Sequence, residues 1–79
     1  MCPDFVIELR SMSDTLSGLQ KKLEEYIDNG ASLGWLIDRK ERSVHIYRPN
    51  HAPQVLENSE QVKGDPELPG FCLPMAKIW

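Results

Sequence analysis

Phe5-Val6-Ile7-Glu8-Leu9, then a polar gap, then Leu16 to Ile27, then Leu33-Gly34-Trp35-Leu36-Ile37-Asp38 is the stretch that decides the fold. Strand alternation puts Phe5, Ile7 and Leu9 on one face and Asp4, Val6, Glu8 and Arg10 on the other. Apolar side chains on both faces predict an interior strand covered on each side. The run starts only a few residues into the chain, so a missing upstream segment is expected. Between the two runs, Leu16, Leu19, Leu23, Tyr26 and Ile27 recur at helical spacing and form one apolar stripe. Ser13 or Asp14 is the expected N-cap, and Asn29-Gly30 the left-handed stop. Lys21 points almost directly away from the stripe, with Glu24, Glu25 and Asp28 mainly outward, while Lys22 lies at its margin. Strand, helix and strand together are long enough for a right-handed parallel crossover.

Outward from that unit, Leu33–Asp38 and Ser43–Arg48 read as an antiparallel hairpin around the polar turn Asp38-Arg39-Lys40-Glu41-Arg42. Five of the six prolines follow from Pro49 onward, with short extended pieces expected at Gln54–Leu56 and Phe71–Leu73. Ile78 and Trp79 form an apolar end that should dock on the body. The expected fold is α+β, bordering on α/β: a mixed sheet, one principal helix and an irregular C-terminal wrap. One small domain over residues 1–79 is expected, with its core at 3–48 and the wrap at 49–79.

A chain of 79 residues buries only roughly 60–65% of its unfolded surface, so a second copy or a companion segment is an expected source of stability. Nine Lys and Arg against twelve Asp and Glu leave a net charge of -3. That balance excludes a broad electrostatic grip on nucleic acid and leaves room only for a local, metal-assisted contact. Cys2 and Cys72 are too far apart in sequence to suggest a metal-ligand pair or a disulfide framework. Reduced thiols, no signal peptide and no apolar run of spanning length lead to the expectation of a cytoplasmic protein without membrane association.

Glu8 is the first chemical anomaly. A carboxylate within an apolar strand costs several kcal/mol if buried alone, so it needs a cation, a metal ion or an exposed strand end. Arg10 on the same strand face and Lys22 on the returning helix are both candidate partners. A carboxylate and a lysine meeting at a strand end can hold a divalent cation and stabilise charge developing on a phosphate. The plainer alternative for Lys22 is a stem lying along the helix flank. His45 shares a strand face with Ser43 and Tyr47 and reads as a surface histidine; neither it nor His51 has metal-ligand spacing. Arg39, Lys40 and Arg42 form a basic turn suited to a phosphate backbone or simply to solvent. Ser11 and Ser13 lack the surroundings of a hydrolase nucleophile.

Taken in order, Pro3-Asp4-Phe5-Val6-Ile7-Glu8-Leu9-Arg10-Ser11, Ser13-Asp14-Thr15-Leu16, Lys22-Leu23-Glu24-Glu25-Tyr26, Asn29-Gly30-Ala31, Gly34-Trp35-Leu36-Ile37-Asp38 and Gly64-Asp65-Pro66-Glu67-Leu68-Pro69-Gly70-Phe71 resemble the second half of the Uma-two family of putative restriction endonucleases. That family belongs to the PD-(D/E)XK nuclease-like superfamily. The resemblance implies a partial restriction-endonuclease-like core, a Mg²⁺ or Mn²⁺ cofactor and DNA as substrate. Glu8 matches the acidic metal ligand, and Lys22 the catalytic lysine, moved from strand to helix. Arg10 stands two residues after the acid, where the superfamily has its lysine, and Asp4 matches the family's Pro-Asp pair; both are auxiliary candidates. Asp4 and Glu8 are about 13 Å apart along a strand, too far for one chain to place both on the same ion. The family's upstream helix and hairpin, which carry the other acidic ligand, are not matched, so weak metal binding and little or no activity are expected of the isolated chain.

Two functions from different classes follow. One is a metal-dependent DNA endonuclease with Glu8 and Lys22 at its centre. The other is a non-catalytic fragment that acts as an oligomerisation or protein-binding module, through homodimerisation or a companion chain that supplies the hairpin.

Overall fold

The computed structural model describes residues 4–64 and 66–79. Cys2 lies outside them; Cys72 is a free, exposed thiol whose Sγ approaches Gln61 Oε1 at 3.1 Å. The elements are β1 (Phe5–Leu9), α1 (Leu16–Asp28), β2 (Leu33–Asp38), β3 (Ser43–Tyr47), β4 (Gln54–Glu57), β5 (Gln61–Lys63) and β6 (Cys72–Pro74), followed by a 3₁₀ turn at Met75–Lys77. β1, β2, β3 and β4 form one mixed sheet in that order, β1 parallel to β2 and the other pairs antiparallel, while β5 and β6 form a separate ribbon.

Parallel pairing of β1 with β2 follows from the crossover through α1. The helix starts at Thr15, whose hydroxyl accepts the Gly18 N–H at 3.1 Å. Asp14, one of the two expected caps, is drawn elsewhere: its carboxylate accepts the backbone N–H of Ser11 at 3.0 Å and its hydroxyl at 2.8 Å. These bonds hold the Asp14 carboxyl below the usual carboxylate range. Asn29 closes the helix, its backbone N–H bonding Glu25 O at 3.0 Å, and Gly30 turns the chain out at φ +109°.

The helix buries Leu19 and Leu23 against Leu36 and Tyr47, with Val6, Leu16 and Ile27 around them. Gly34 permits this approach, because a Cβ there would lie 2.6 Å from Leu23 Cδ1 and 3.3 Å from Val6 Cγ2. On the opposite face Trp35 is fully buried, edge-on to Phe5 at 5.3 Å and tilted over Phe71 at 5.9 Å. Val62 and Met75 complete that core. Burying one such large apolar side chain contributes about 1.5–3 kcal/mol. Within the segment expected to be an irregular wrap, β4 continues the sheet beyond β3 and the β5–β6 ribbon covers the Trp35 face. Trp79 docks as expected, its indole N–H donating to Ser59 O at 3.2 Å.

β1 differs from expectation. It is the edge of the sheet, and among the described residues no strand pairs with its outer side. Ile7 and Leu9 remain 44% and 46% exposed. Among the described residues no helix is long and apolar enough to cross a membrane.

Candidate functional site

The carboxyl ends of the parallel pair β1–β2 gather the polar chemistry of the helix-facing side. Ladder register aligns Glu8 with Leu36 and His45 in one row. Arg10 follows two residues after Glu8 on the same side of β1, beside the register pair Asp38 and Ser43. Strand ends of this kind carry side chains outward from a fixed frame, which is why ligands collect there in sheets with parallel strands.

Glu8 and Lys22 meet. Lys22 Nζ lies 3.0 Å from Glu8 Oε1, with the lysine side chain 50% and the glutamate 23% exposed. The margin position of Lys22 on α1 and the packing of the helix over the sheet together bring it there. The hydrogen bond to Glu8 raises the Lys22 pKa, with the Glu8 charge adding to it. Lys22 is therefore held as an ammonium, suited to stabilising negative charge rather than to accepting a proton.

Arg10 does not pair with Glu8. Its NH1 lies 2.8 Å from Asp38 Oδ2, and its Nε donates to Asp14 O at 3.4 Å. Asp38, completely buried, also accepts the backbone N–H groups of Lys40 at 3.1 Å and Glu41 at 3.3 Å through its other oxygen. This carboxylate thus ties the end of β1 to the β2–β3 turn. In the sequence nothing sets Asp38 apart from the polar turn that it opens.

The basic turn divides. Arg39 and Lys40 join Arg10, Ser11 and Met12 around an open pocket of about 360 Å³ at the end of β1. Arg42, at φ +52°, leaves it: its Nε donates to Asn58 Oδ1 at 3.1 Å and its guanidinium lies 5.5 Å from the Trp79 ring centre. Asp4 is exposed near the opposite end of β1, its backbone carbonyl accepting from Ser32 at 2.8 Å. His45 is buried rather than at the surface, with Ser43 Oγ 3.4 Å from its Nε2. Burial lowers its pKa and the Asp38 charge partly opposes that shift. His51 is exposed and folds back on Pro49 O at 2.8 Å. Among the described residues no group of three His, Cys, Asp or Glu side chains gathers as a metal-binding cluster.

A solved structure of a putative nuclease belonging to DUF820 from Anabaena variabilis ATCC 29413 is similar to this fold, with a TM-score of 0.71 and 28% sequence identity. The match covers 81% of this chain and 36% of that one, so this chain spans little more than a third of its length. No curated protein matches the chain. The family model described as Uma2, putative restriction endonuclease, matches residues 1–76. The chain belongs to the Uma2 family of putative restriction endonucleases.

Proposed function

We propose that this chain carries the lysine-bearing half of a metal-dependent DNA endonuclease site. The observation that supports this most directly is the 3.0 Å contact of Glu8 with Lys22 at the carboxyl end of a parallel strand pair, next to a pocket lined by Arg10, Arg39 and Lys40. Glu8 is the proposed metal ligand. With Glu8 as the one carboxylate, the ion is held weakly and leans on substrate phosphates and water, because Mg²⁺ is usually bound by one or two carboxylates together with such ligands. A second acidic side chain brought to the site would strengthen the binding. A bound divalent ion polarises a phosphodiester and its attacking water.

The roles of the chain's own residues follow from their positions. Lys22, held charged by Glu8, can turn its ammonium to a phosphoryl oxygen as negative charge develops there. Arg39 and Lys40, both exposed, can engage backbone phosphates at the mouth of the pocket. Arg10 contributes positive potential there, but its guanidinium is committed to Asp38, so its role is positioning.

Titration of the protein with Mn²⁺, followed by NMR, tests the metal assignment. Selective broadening of amides around Glu8 and Lys22 at sub-millimolar ion, absent in Glu8→Gln, is expected. Uniform broadening in both proteins overturns the assignment. If cleavage of DNA is measurable, Glu8→Ala should abolish it; equal cleavage by both proteins would trace it to a contaminant.

A further inference from the structure

The outer edge of β1 is self-complementary. Arg10 N–H bonds Ile37 O, and the Asp4 carbonyl accepts from Ser32 and Leu33. In a parallel ladder the inward-facing residues alternate, so Asp4, Val6, Glu8 and Arg10 bond to β2. The N–H and C=O groups of Phe5, Ile7 and Leu9 consequently face outward. An antiparallel second strand can bond only where outward-facing residues stand opposite one another. A two-fold axis at Ile7 meets that condition along the whole strand, pairing Ile7 with Ile7 of the second copy and Phe5 with Leu9 of the second copy. Those pairs share the Trp35 side of the sheet and cover the exposed Ile7 and Leu9. On the helix-facing side the same register sets Asp4 of the second copy opposite Arg10, whose guanidinium stays paired with Asp38, and Val6 of the second copy opposite Glu8.

We propose that a second copy of this chain pairs antiparallel along β1, with Ile7 on the two-fold axis, and brings its Asp4 beside Arg10 and Glu8 of the first. The diagonal from Glu8 to Asp4 of the second copy spans about 7–8 Å between Cα atoms, with side chains on one face. Two carboxylates that lie about 13 Å apart within one chain thereby come together across two. The significance of that meeting rests on the nuclease reading of Glu8; the ladder itself does not.

Sterically the helices do not obstruct the pairing. α1 packs on Leu36 of β2 and Tyr47 of β3, so at about 4.8 Å per strand the two helices stand at least about 14 Å apart, beyond the 8–10 Å of packed helices. The opposite edge of the sheet is guarded. β4 is preceded by Pro53, ends in Glu57 and has only four residues, three of them exposed. Proline, charge and shortness all discourage edge pairing.

Molar mass by light scattering tests the association. A ladder this short associates weakly, so the mean mass should climb from 9.0 kDa toward twice that value between about 10 μM and about 1 mM. Ile7→Lys sets two ammonium groups on the axis at an already exposed position and should hold the mass at the monomer while leaving the circular dichroism unchanged. Register is tested with Ile7→Cys in a Cys2→Ser, Cys72→Ser background, because a bonded pair about 5.5 Å apart at Cα lies within disulfide reach. Mild oxidation should give a covalent dimer, and Met12→Cys, exposed and beyond the ladder, should not. A monomer at every concentration, an unchanged mass in Ile7→Lys, or equal crosslinking by both cysteines overturns the proposal. These readouts contain no metal and no DNA. A dimer without Mn²⁺ broadening at Glu8 therefore removes the nuclease reading alone, and broadening in a strict monomer removes the dimer alone.

Discussion

At the end of β1, Arg10 reaches a carboxylate that has no solvent exposure, whereas Glu8, two residues earlier on the same face, meets Lys22 in the open. The distances are alike, 2.8 and 3.0 Å. The surroundings are not. Asp38 is bonded through both oxygens, to one guanidinium and two backbone N–H groups from the following turn. A buried charge satisfied in this way cannot lose a partner cheaply. Glu8 has water to replace whatever Lys22 withdraws, so its cation is exchangeable. Arg10–Asp38 is thus a pair that builds the frame and Glu8–Lys22 a pair that the frame presents, so the exchangeable chemistry lies at Glu8.

Breaking the buried pair should have the largest effect. Asp38→Ala leaves Arg10 largely buried without its carboxylate and frees two turn N–H groups. A loss of about 3–5 kcal/mol in urea unfolding is expected, against a total of about 4–12 kcal/mol for a domain of this length. A loss below about 1 kcal/mol would show that the Asp38 region is no more committed than the Glu8 region.

His45 extends the buried side of the comparison to pH. Its folded pKa is lowered from 6.5 by burial, so the unfolded chain takes up a proton before the folded one does. Stability attributable to this residue is complete above about pH 6.5 and declines as the pH falls below it, with a slope that cannot exceed about 1.4 kcal/mol per pH unit. The carboxyl of Asp14, and that of Glu67, which is lowered by the hydrogen bond it accepts from Arg48 Nε at 2.8 Å, have the same sign in a different window: their stabilisation is present above their ordinary values of 3.8 and 4.5 and is lost as the pH falls further. Thermal unfolding between pH 5 and 7 should therefore flatten in His45→Gln. An unchanged profile would mean that His45 is hydrated in the fold.

How far these regions can be read from sequence depends on how local their causes are. β1, α1, β2 and β3 follow from periodicity, and the Lys22–Glu8 contact follows from one helical angle plus a crossover that returns to the sheet. Asp38 was not legible, because its partners come from β1 and from backbone groups of its own turn. Thr15, Ser13 and Asp14 can all cap a helix, and the choice was made by Ser11, which took Asp14. Alternation assigned His45 a face but not what covers it. Arg42 shares its charge with Arg39 and Lys40, yet its positive φ and the distant Asn58 and Trp79 turn it away.

The smallest stability effect should come from the exposed pair. With Lys22 half exposed, Glu8→Gln and Lys22→Met should each change stability by less than about 1 kcal/mol, and a double-mutant cycle should give a coupling of about 0.2–1 kcal/mol that shrinks with added salt. Salt should leave the cost of Asp38→Ala nearly unchanged, because buried charges are little screened. A coupling above about 2 kcal/mol at Glu8 would mean that Lys22 is locked to it as Arg10 is locked to Asp38. The ammonium could then not turn toward a phosphate without loosening the fold, and the nuclease reading would lose its mobile cation. Weak coupling together with Mn²⁺ broadening at Glu8 is the combination that a presented, reactive pair requires.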